Sequence, residues 1–375
     1  MIYFDNAASG GFKPNQVIDS TLYAIKYLSA NAGRSGHKLS VLASKEVYET
    51  RKRLGEFVGN RSLERIVFTH NCTDALNKAI FGICDENSHI VTTVTEHNSV
   101  LRPLYELQKR GAKVTFVKPK TSFVTADDIA AAIDDDTDLV IVNGVSNVTG
   151  AENDIDGIGT LLKNTDTVFM VDGAQMAGHK KINMSKQNID VLCLAGHKGL
   201  YAIQGIGAIA FGEKAILKPT VFGGTGTDTF NESMPDNYPE RLEAGTLALP
   251  AILSLKEGIG YAKNNAAYIQ NQLSALTEFM ISNLTLRPYI KLYSIPNQYG
   301  IVAFSHTEIP SQELAQILSD KYDIAVRGGF HCAPLMHKFL NTEKFGLVRV
   351  SFSAQNTRRE ISAFLAAIDE ISMSA

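Results

Sequence analysis

The segment Asp190-Val-Leu-Cys-Leu-Ala-Gly-His-Lys-Gly-Leu200, followed by Gly205-Ile-Gly-Ala-Ile-Ala-Phe211, decides the reading of this chain. A short apolar run that stops at Gly196-His-Lys198 predicts a buried strand with Lys198 just past its end, where open α/β sheets do their ligand chemistry. A second run, Val168-Phe-Met-Val171, ends in Asp172 and continues as Gly173-Ala-Gln175. A lysine standing alone after a strand is ordinarily a solvated loop residue. Here a lysine and a carboxylate stand at two strand ends. That pair suits a lysine that bonds covalently to an aldehyde cofactor and a carboxylate that keeps the cofactor's ring nitrogen protonated, which is what pyridoxal 5'-phosphate requires.

Working outward, strands alternate with helices. Arg65–Phe68, 89–95, 113–117 and 138–143 read as strands, and 14–30, 38–58, 75–81, 99–110 and 125–133 read as helices. This alternation predicts an α/β fold with a large domain built on a mainly parallel, seven-stranded sheet. A helical pattern over 247–282 with a bend leads into shorter strands and helices, the pattern of a small α+β C-terminal domain. The expected division is an N-terminal segment 1–15 packed near the site and the small domain, a large domain 16–255 and a small domain 256–375.

At 375 residues the chain is long enough for two cores, and its 45% hydrophobic and 20% charged composition is that of an ordinary globular protein. A formal net charge of -3 gives no nucleic-acid footprint. No basic-then-apolar leader opens the chain and no apolar run approaches membrane-spanning length, so a cytoplasmic protein without membrane attachment is expected. The cysteines Cys72, Cys84, Cys193 and Cys332 show neither metal-ligand spacing nor a disulfide framework. Only Cys332 looks chemical, in the glycine-bearing loop Arg327-Gly-Gly-Phe-His-Cys-Ala333, where Arg327 or His331 would favour thiolate. Thr69-His-Asn-Cys-Thr-Asp74 enters a helix whose first-turn amides, beside the Thr73 hydroxyl, would cradle a phosphate; a plain N-cap explains the same residues.

Val171-Asp-Gly-Ala-Gln175 and Ala195-Gly-His-Lys-Gly199 resemble the aspartate and lysine motifs of the class V aminotransferase family, in its cysteine desulfurase and selenocysteine lyase branch. The resemblance covers nearly the whole chain. It implies the type I fold of pyridoxal-phosphate-dependent transferases, with Cys72, Thr73, His97, Asn147, Asp172, Gln175, His197 and Lys198 about the cofactor and His97 stacked on its ring and taking part in proton transfer. It also implies that Asn147, Arg349 and His37 address the substrate, and that Thr246, in Arg241-Leu-Glu-Ala-Gly-Thr246, reaches a partner's cofactor phosphate in a homodimer. The family often has serine where Ala195 stands, so one phosphate contact is missing here.

A transaminase needs no thiol, whereas a desulfurase needs one to take the substrate's sulfur as a persulfide. Cys332 therefore points to conversion of L-cysteine to L-alanine; the family resemblance implies a place in sulfur metabolism such as iron–sulfur cluster assembly. Selenocysteine lyase, a cysteine or cystine β-lyase, and an ordinary class V aminotransferase are the alternatives. The short loop between Cys332 and Leu347-Val-Arg349 resembles the branch whose cysteine stays close to the substrate, which implies low activity alone and a sulfur-acceptor protein as activator.

Overall fold

A computed structural model describes residues 1–374. Its strands are β1 (Ile2–Tyr3), β2 (Ile66–Thr69), β3 (His89–Thr93), β4 (Lys113–Val117), β5 (Thr137–Asn143), β6 (Val168–Asp172), β7 (Val191–Ala195), β8 (Gly207–Phe211), β9 (Ile290–Leu292), β10 (Ile301–His306), β11 (Ile324–Ala325), β12 (Arg327–Gly329) and β13 (Leu347–Ser351). Its helices are α1 (Asn15–Tyr27), α2 (Lys38–Val58), α3 (Cys72–Ile83), α4 (Asn98–Arg110), α5 (Ala126–Ala130), α6 (Ile155–Leu162), α7 (Met184–Gln187), α8 (Leu249–Asn264), α9 (Ala266–Leu284), α10 (Ser311–Tyr322), α11 (Pro334–Leu340) and α12 (Arg358–Ser374).

Seven strands form one sheet in the order β2-β8-β7-β6-β5-β3-β4. All are parallel except β8, which pairs antiparallel with both β7 and β2. β5, β6 and β7 are buried along almost their whole length, which is why their sequences are continuous apolar runs and not alternating ones. In register, Asn143 on β5 sits beside Asp172 on β6, and Asp172 sits beside Cys193 on β7. The carboxyl ends of these strands therefore open on one spot, with Lys198 three residues past the end of β7.

A second, antiparallel sheet has the order β12-β13-β10-β9, and β1 pairs in parallel with β11. One apolar core includes Ile155, Leu192 and Leu249 through Ile259; another takes in Ala262, Ile269, Val302, Val348, Phe364 and Phe4. The change of core thus falls within α8, which runs unbroken across residue 255. Phe4, fully buried against Phe352 and Phe364, ties the N-terminal strand to the C-terminal layer.

Several element ends differ from the sequence reading, α1, α5 and β3 being shorter than expected, and two differences bear on the layout. α3 begins at Cys72 and not at Ala75, because the Asn71 side chain accepts the Asp74 amide (2.9 Å) and caps the helix earlier. The bend expected within 247–282 is a full break between two helices, α8 and α9, with the chain leaving helical geometry at Asn265 (φ -111°, ψ 12°). Among the described residues no helix is long and apolar enough to cross a membrane.

Candidate active site

At the carboxyl ends of β5, β6 and β7 lies a cavity of about 190 Å³. Cys72, Thr73, His97, Asn147, Asp172, Gln175, His197, Lys198 and Arg349 all line it, joined by Ala7, Ser99, Asn143, Ala195 and Arg327. Convergence of these side chains from strand ends, helix starts and the N-terminal segment is the arrangement expected of a ligand site in an open α/β sheet.

Burial pushes the Lys198 amine below its ordinary range, with Asp172 and Cys72 pulling the other way. Asp172 is buried, and its Oδ1 accepts the Ala174 amide at 2.9 Å and the Cys72 thiol at 3.6 Å. Burial raises its pKa, while the Ala174 amide and Lys198 favour the anion. The Cys72 thiol is held well above its usual range by burial and by Asp172, so it stands here as a neutral donor and not as a nucleophile.

Thr73 lies in the first turn of α3, and its hydroxyl shares a 2.7 Å hydrogen bond with that of Ser99 in the first turn of α4. Two helix N-termini are thereby joined at one wall of the cavity. His97 caps α4: its Nδ1 accepts the Ser99 amide at 3.0 Å, which leaves the ring proton on Nε2. Burial, assisted by Lys198 and nearby arginines, lowers the His97 pKa to about 4, so the ring is neutral at physiological pH. Gln175 donates to the Ala7 carbonyl at 2.9 Å. His197 meets Ser9 Oγ at 3.3 Å, and its own carbonyl accepts from Gly10 N (3.0 Å) and Lys13 Nζ (3.2 Å).

Arg349 is 1% exposed, and its guanidinium is used from two sides. Nη1 donates to the Asn147 carbonyl at 2.9 Å and Nη2 to Asp5 Oδ1 at 2.8 Å. Nε has no partner although it is fully buried, and neither has Asn147 Oδ1, while Asn147 Nδ2 donates to the His331 carbonyl at 2.7 Å. A buried donor and a buried acceptor left open on adjacent residues call for a ligand that carries both functions.

Cys332 does not line the cavity, but its Sγ lies 3.6 Å from Nη2 of Arg327, which does. The loop is held beside His97 because Asn98 N donates to the Cys332 carbonyl at 2.7 Å. Of the two groups expected to favour thiolate, only Arg327 is at the sulfur. Burial drives the His331 pKa well down, and its Nε2 donates to the Leu347 carbonyl at 3.0 Å, so this ring is a neutral structural group.

Two expected residues stand apart. His37 is exposed and caps α2 by accepting the Ser40 amide, and exposed Thr246 receives a 3.4 Å hydrogen bond from Asn31. Both lie outside the cavity of their own chain, and Thr246 falls between Gly245 and Leu247, which line an open groove of about 620 Å³. Asp5 and Ser99 were missed by the sequence reading. Asp5 lies 344 residues from its arginine, and no local pattern announces such a contact.

The aminotransferase class-V family model matches residues 2–364. A probable cysteine desulfurase from Methanothermobacter thermautotrophicus is 30% identical over 99% of this chain and 94% of its own length. A cysteine desulfurase from Yersinia pseudotuberculosis is 29% identical over 99% and 93%. Among solved structures, the apo cysteine desulfurase of Thermococcus onnurineus superposes with a TM-score of 0.90 at 31% identity, covering 100% of this chain and 95% of that one. The Escherichia coli cysteine desulfurase, at 23% identity and a TM-score of 0.86 over 98% and 94% of the two chains, shares the fold. With the family model spanning nearly every residue and relatives matching end to end, the chain belongs to the aminotransferase class-V family.

Proposed function

We propose that this protein is a pyridoxal-phosphate-dependent cysteine desulfurase that converts L-cysteine to L-alanine and takes the sulfur on Cys332. The observation that carries the reading is the placement of Cys332 Sγ against Arg327, a guanidinium that also lines the cavity holding Lys198 and Asp172. The end-to-end likeness to cysteine desulfurases supports it.

The residues fit the cofactor. Lys198 has an amine with neither a hydrogen bond nor an ion pair among the described residues, and a buried carboxylate, Asp172, faces the same space. Lys198 would hold the aldehyde carbon, Asp172 the ring nitrogen, Gln175 and Asn147 the ring oxygen, and Thr73 with His197 the phosphate. Ser99 brings a further hydroxyl beside Thr73, on the wall where Ala195 offers none. When bound, the group supplies an electron sink for the substrate's α-carbon.

The chain's own groups do the rest. Arg349 Nε and Asn147 Oδ1 orient the amino acid through its α-carboxylate and a donor. Burial lowers the Lys198 pKa and so favours the neutral amine, the form that can take up a proton. His97 would stack on the cofactor ring, and its Nε2 holds a proton. Arg327 lies against the Cys332 sulfur, which attacks the substrate sulfur; the carbon–sulfur bond breaks and the substrate β-carbon takes up a proton. The balance is L-cysteine plus a thiol giving L-alanine plus a persulfide, with no external oxidant.

The same reading makes the protein a homodimer. α1 and α2 expose Ile18, Leu22, Tyr23, Ile25, Tyr27, Leu39, Val41, Leu42 and Tyr48, and Phe222 and Phe230 lie bare on the loop that precedes Thr246. A second copy covering these side chains would bring His37 and Thr246 to the partner's cavity. A sulfur-acceptor protein would then relieve Cys332.

The test is mass spectrometry after brief exposure to L-cysteine without reductant, where one added sulfur maps to Cys332. Cys332→Ser and Lys198→Ala should both lose alanine release. Pyruvate as product, with no sulfur on Cys332, reassigns the protein as a β-eliminating lyase.

A further inference from the structure

We propose that Asp5 is a positioning residue for substrate recognition: it fixes the Arg349 guanidinium so that its Nε–H edge is left to grip the α-carboxylate. The inference rests on the reading of Arg349 as the carboxylate site and extends it to a residue to which neither motif nor composition gave a role.

Arg349 and Arg327 are direct cross-strand partners on β13 and β12, and like charges so placed repel. Arg327 forms no ion pair among the described residues, so Asp5 is the one carboxylate that answers either guanidinium directly. Arg349 is 1% exposed and Asp5 23%, so their 2.8 Å contact is a charge-assisted hydrogen bond largely shielded from water. With Nη1 on the Asn147 carbonyl and Nη2 on Asp5, the guanidinium plane is set by two anchors, and buried Nε remains without an acceptor. A substrate carboxylate therefore has a donor waiting and has no need to displace Asp5.

Asp5 is itself held by the strand that carries the arginine. Arg349 and Ser351 fall two residues apart on β13 and so share a face. Ser351 N donates to the Phe4 carbonyl (2.6 Å), Ala7 N to Ser351 Oγ (2.9 Å) and Asn6 Nδ2 to the Ser351 carbonyl (3.0 Å). The same short segment reaches the lysine loop, where Gly10 N and Lys13 Nζ both donate to the His197 carbonyl. Asp5 is thus the charged point of a strap that runs from the carboxylate site to the residue preceding Lys198.

The experiment compares holoenzymes of wild type, Asp5→Asn, Asp5→Ala and Arg349→Ala in their capture by aminooxyacetate and by methoxyamine. Both probes react with an aldehyde cofactor, and only the first carries a carboxylate. The ratio of the two rate constants should fall about tenfold in Asp5→Ala and about threefold in Asp5→Asn, which keeps an oxygen acceptor but no charge. Capture by methoxyamine should stay within about twofold of wild type, and KM for L-cysteine should rise while kcat holds. Should Asp5→Ala fail to fold, Asp5→Asn decides. A ratio unchanged in the Asp5 variants, while Arg349→Ala loses it, overturns the positioning role alone; a ratio that rises shows that Asp5 competes with substrate and overturns it equally. If Arg349→Ala itself keeps the wild-type ratio, the carboxylate assignment falls and the inference with it.

Discussion

His97 illustrates how one backbone contact sets the chemistry of a side chain. The Ser99 amide occupies Nδ1, so the exchangeable proton sits on Nε2, and burial holds the pKa at about 4 against an ordinary 6.5. A lowered histidine pKa means that the native ring stays neutral while the unfolded ring protonates below about pH 6.5. The unfolded state then binds more protons, so the contribution to stability is complete above that pH and is lost as pH falls toward 4. Glu96, fully buried with its pKa raised to about 8, works in the opposite direction: its neutral form stabilises at low pH and the benefit fades as pH rises toward 8. The His97 effect is therefore read as a difference between proteins. His97→Asn, which retains a capping side chain, should lose less stability than wild type between about pH 7 and about pH 5, by up to about 2 kcal/mol. Thermal melts of both proteins across that range check it, and parallel pH dependences would falsify the neutral-ring description.

At the scale of elements, the lysine loop is shaped by close backbone approach. A Cβ on Gly258, in the middle of α8, would lie 2.0 Å from the Leu200 carbonyl oxygen, and one on Gly178 would lie 1.9 Å from that of Gly199. α8 therefore packs directly on the turn that follows Lys198, and no flexible side chain is available there to give way. Gly258→Ala should destabilise the protein by about 3 kcal/mol through overpacking against backbone. It should also speed loss of cofactor on dialysis, because the turn that positions Lys198 must shift. Denaturant melts and cofactor-retention measurements report the two effects separately, and a variant matching wild type in both would show that the contact is soft.

At the scale of the whole molecule, the apolar outer faces of α1 and α2, with exposed His37 and Thr246, set the expected oligomer. Replacing water over Leu22, Tyr23, Val41 and Tyr48 with a second copy of the same surface is favourable by roughly 25 cal/mol per Å² of apolar area before association costs. Sedimentation should accordingly give twice the chain mass, and Tyr23→Glu with Leu22→Glu should yield monomers that have lost most turnover. Full activity in such a monomer would remove the partner from the active site.

Much of the site was legible in the sequence because its parts lie at fixed offsets from elements with strong local signals. Asp172 and Lys198 end or follow runs too apolar to be anything but buried strands, and the seven-stranded, mainly parallel sheet follows from repetition of that pattern. The reversed direction of β8, the placing of the expected bend at Asn265 and the early start of α3 were not legible. Each depends on pairing, packing or a single cap and leaves periodicity unchanged. Cys332 was legible as a candidate, but the choice of Arg327 over His331 as its neighbour belongs to tertiary structure: both flank the loop in sequence, and only the backbone path decides which side chain meets the sulfur and which is spent on the Leu347 carbonyl. Asp5 marks the limit most sharply. Sequence determines which residue types are present and which local elements they form, whereas a bond between Asp5 and Arg349, at opposite ends of the chain, exists only because the end of β13 at Ser351 holds the N-terminal segment. An ion pair needs proximity in space, and only the assembled layers supply it.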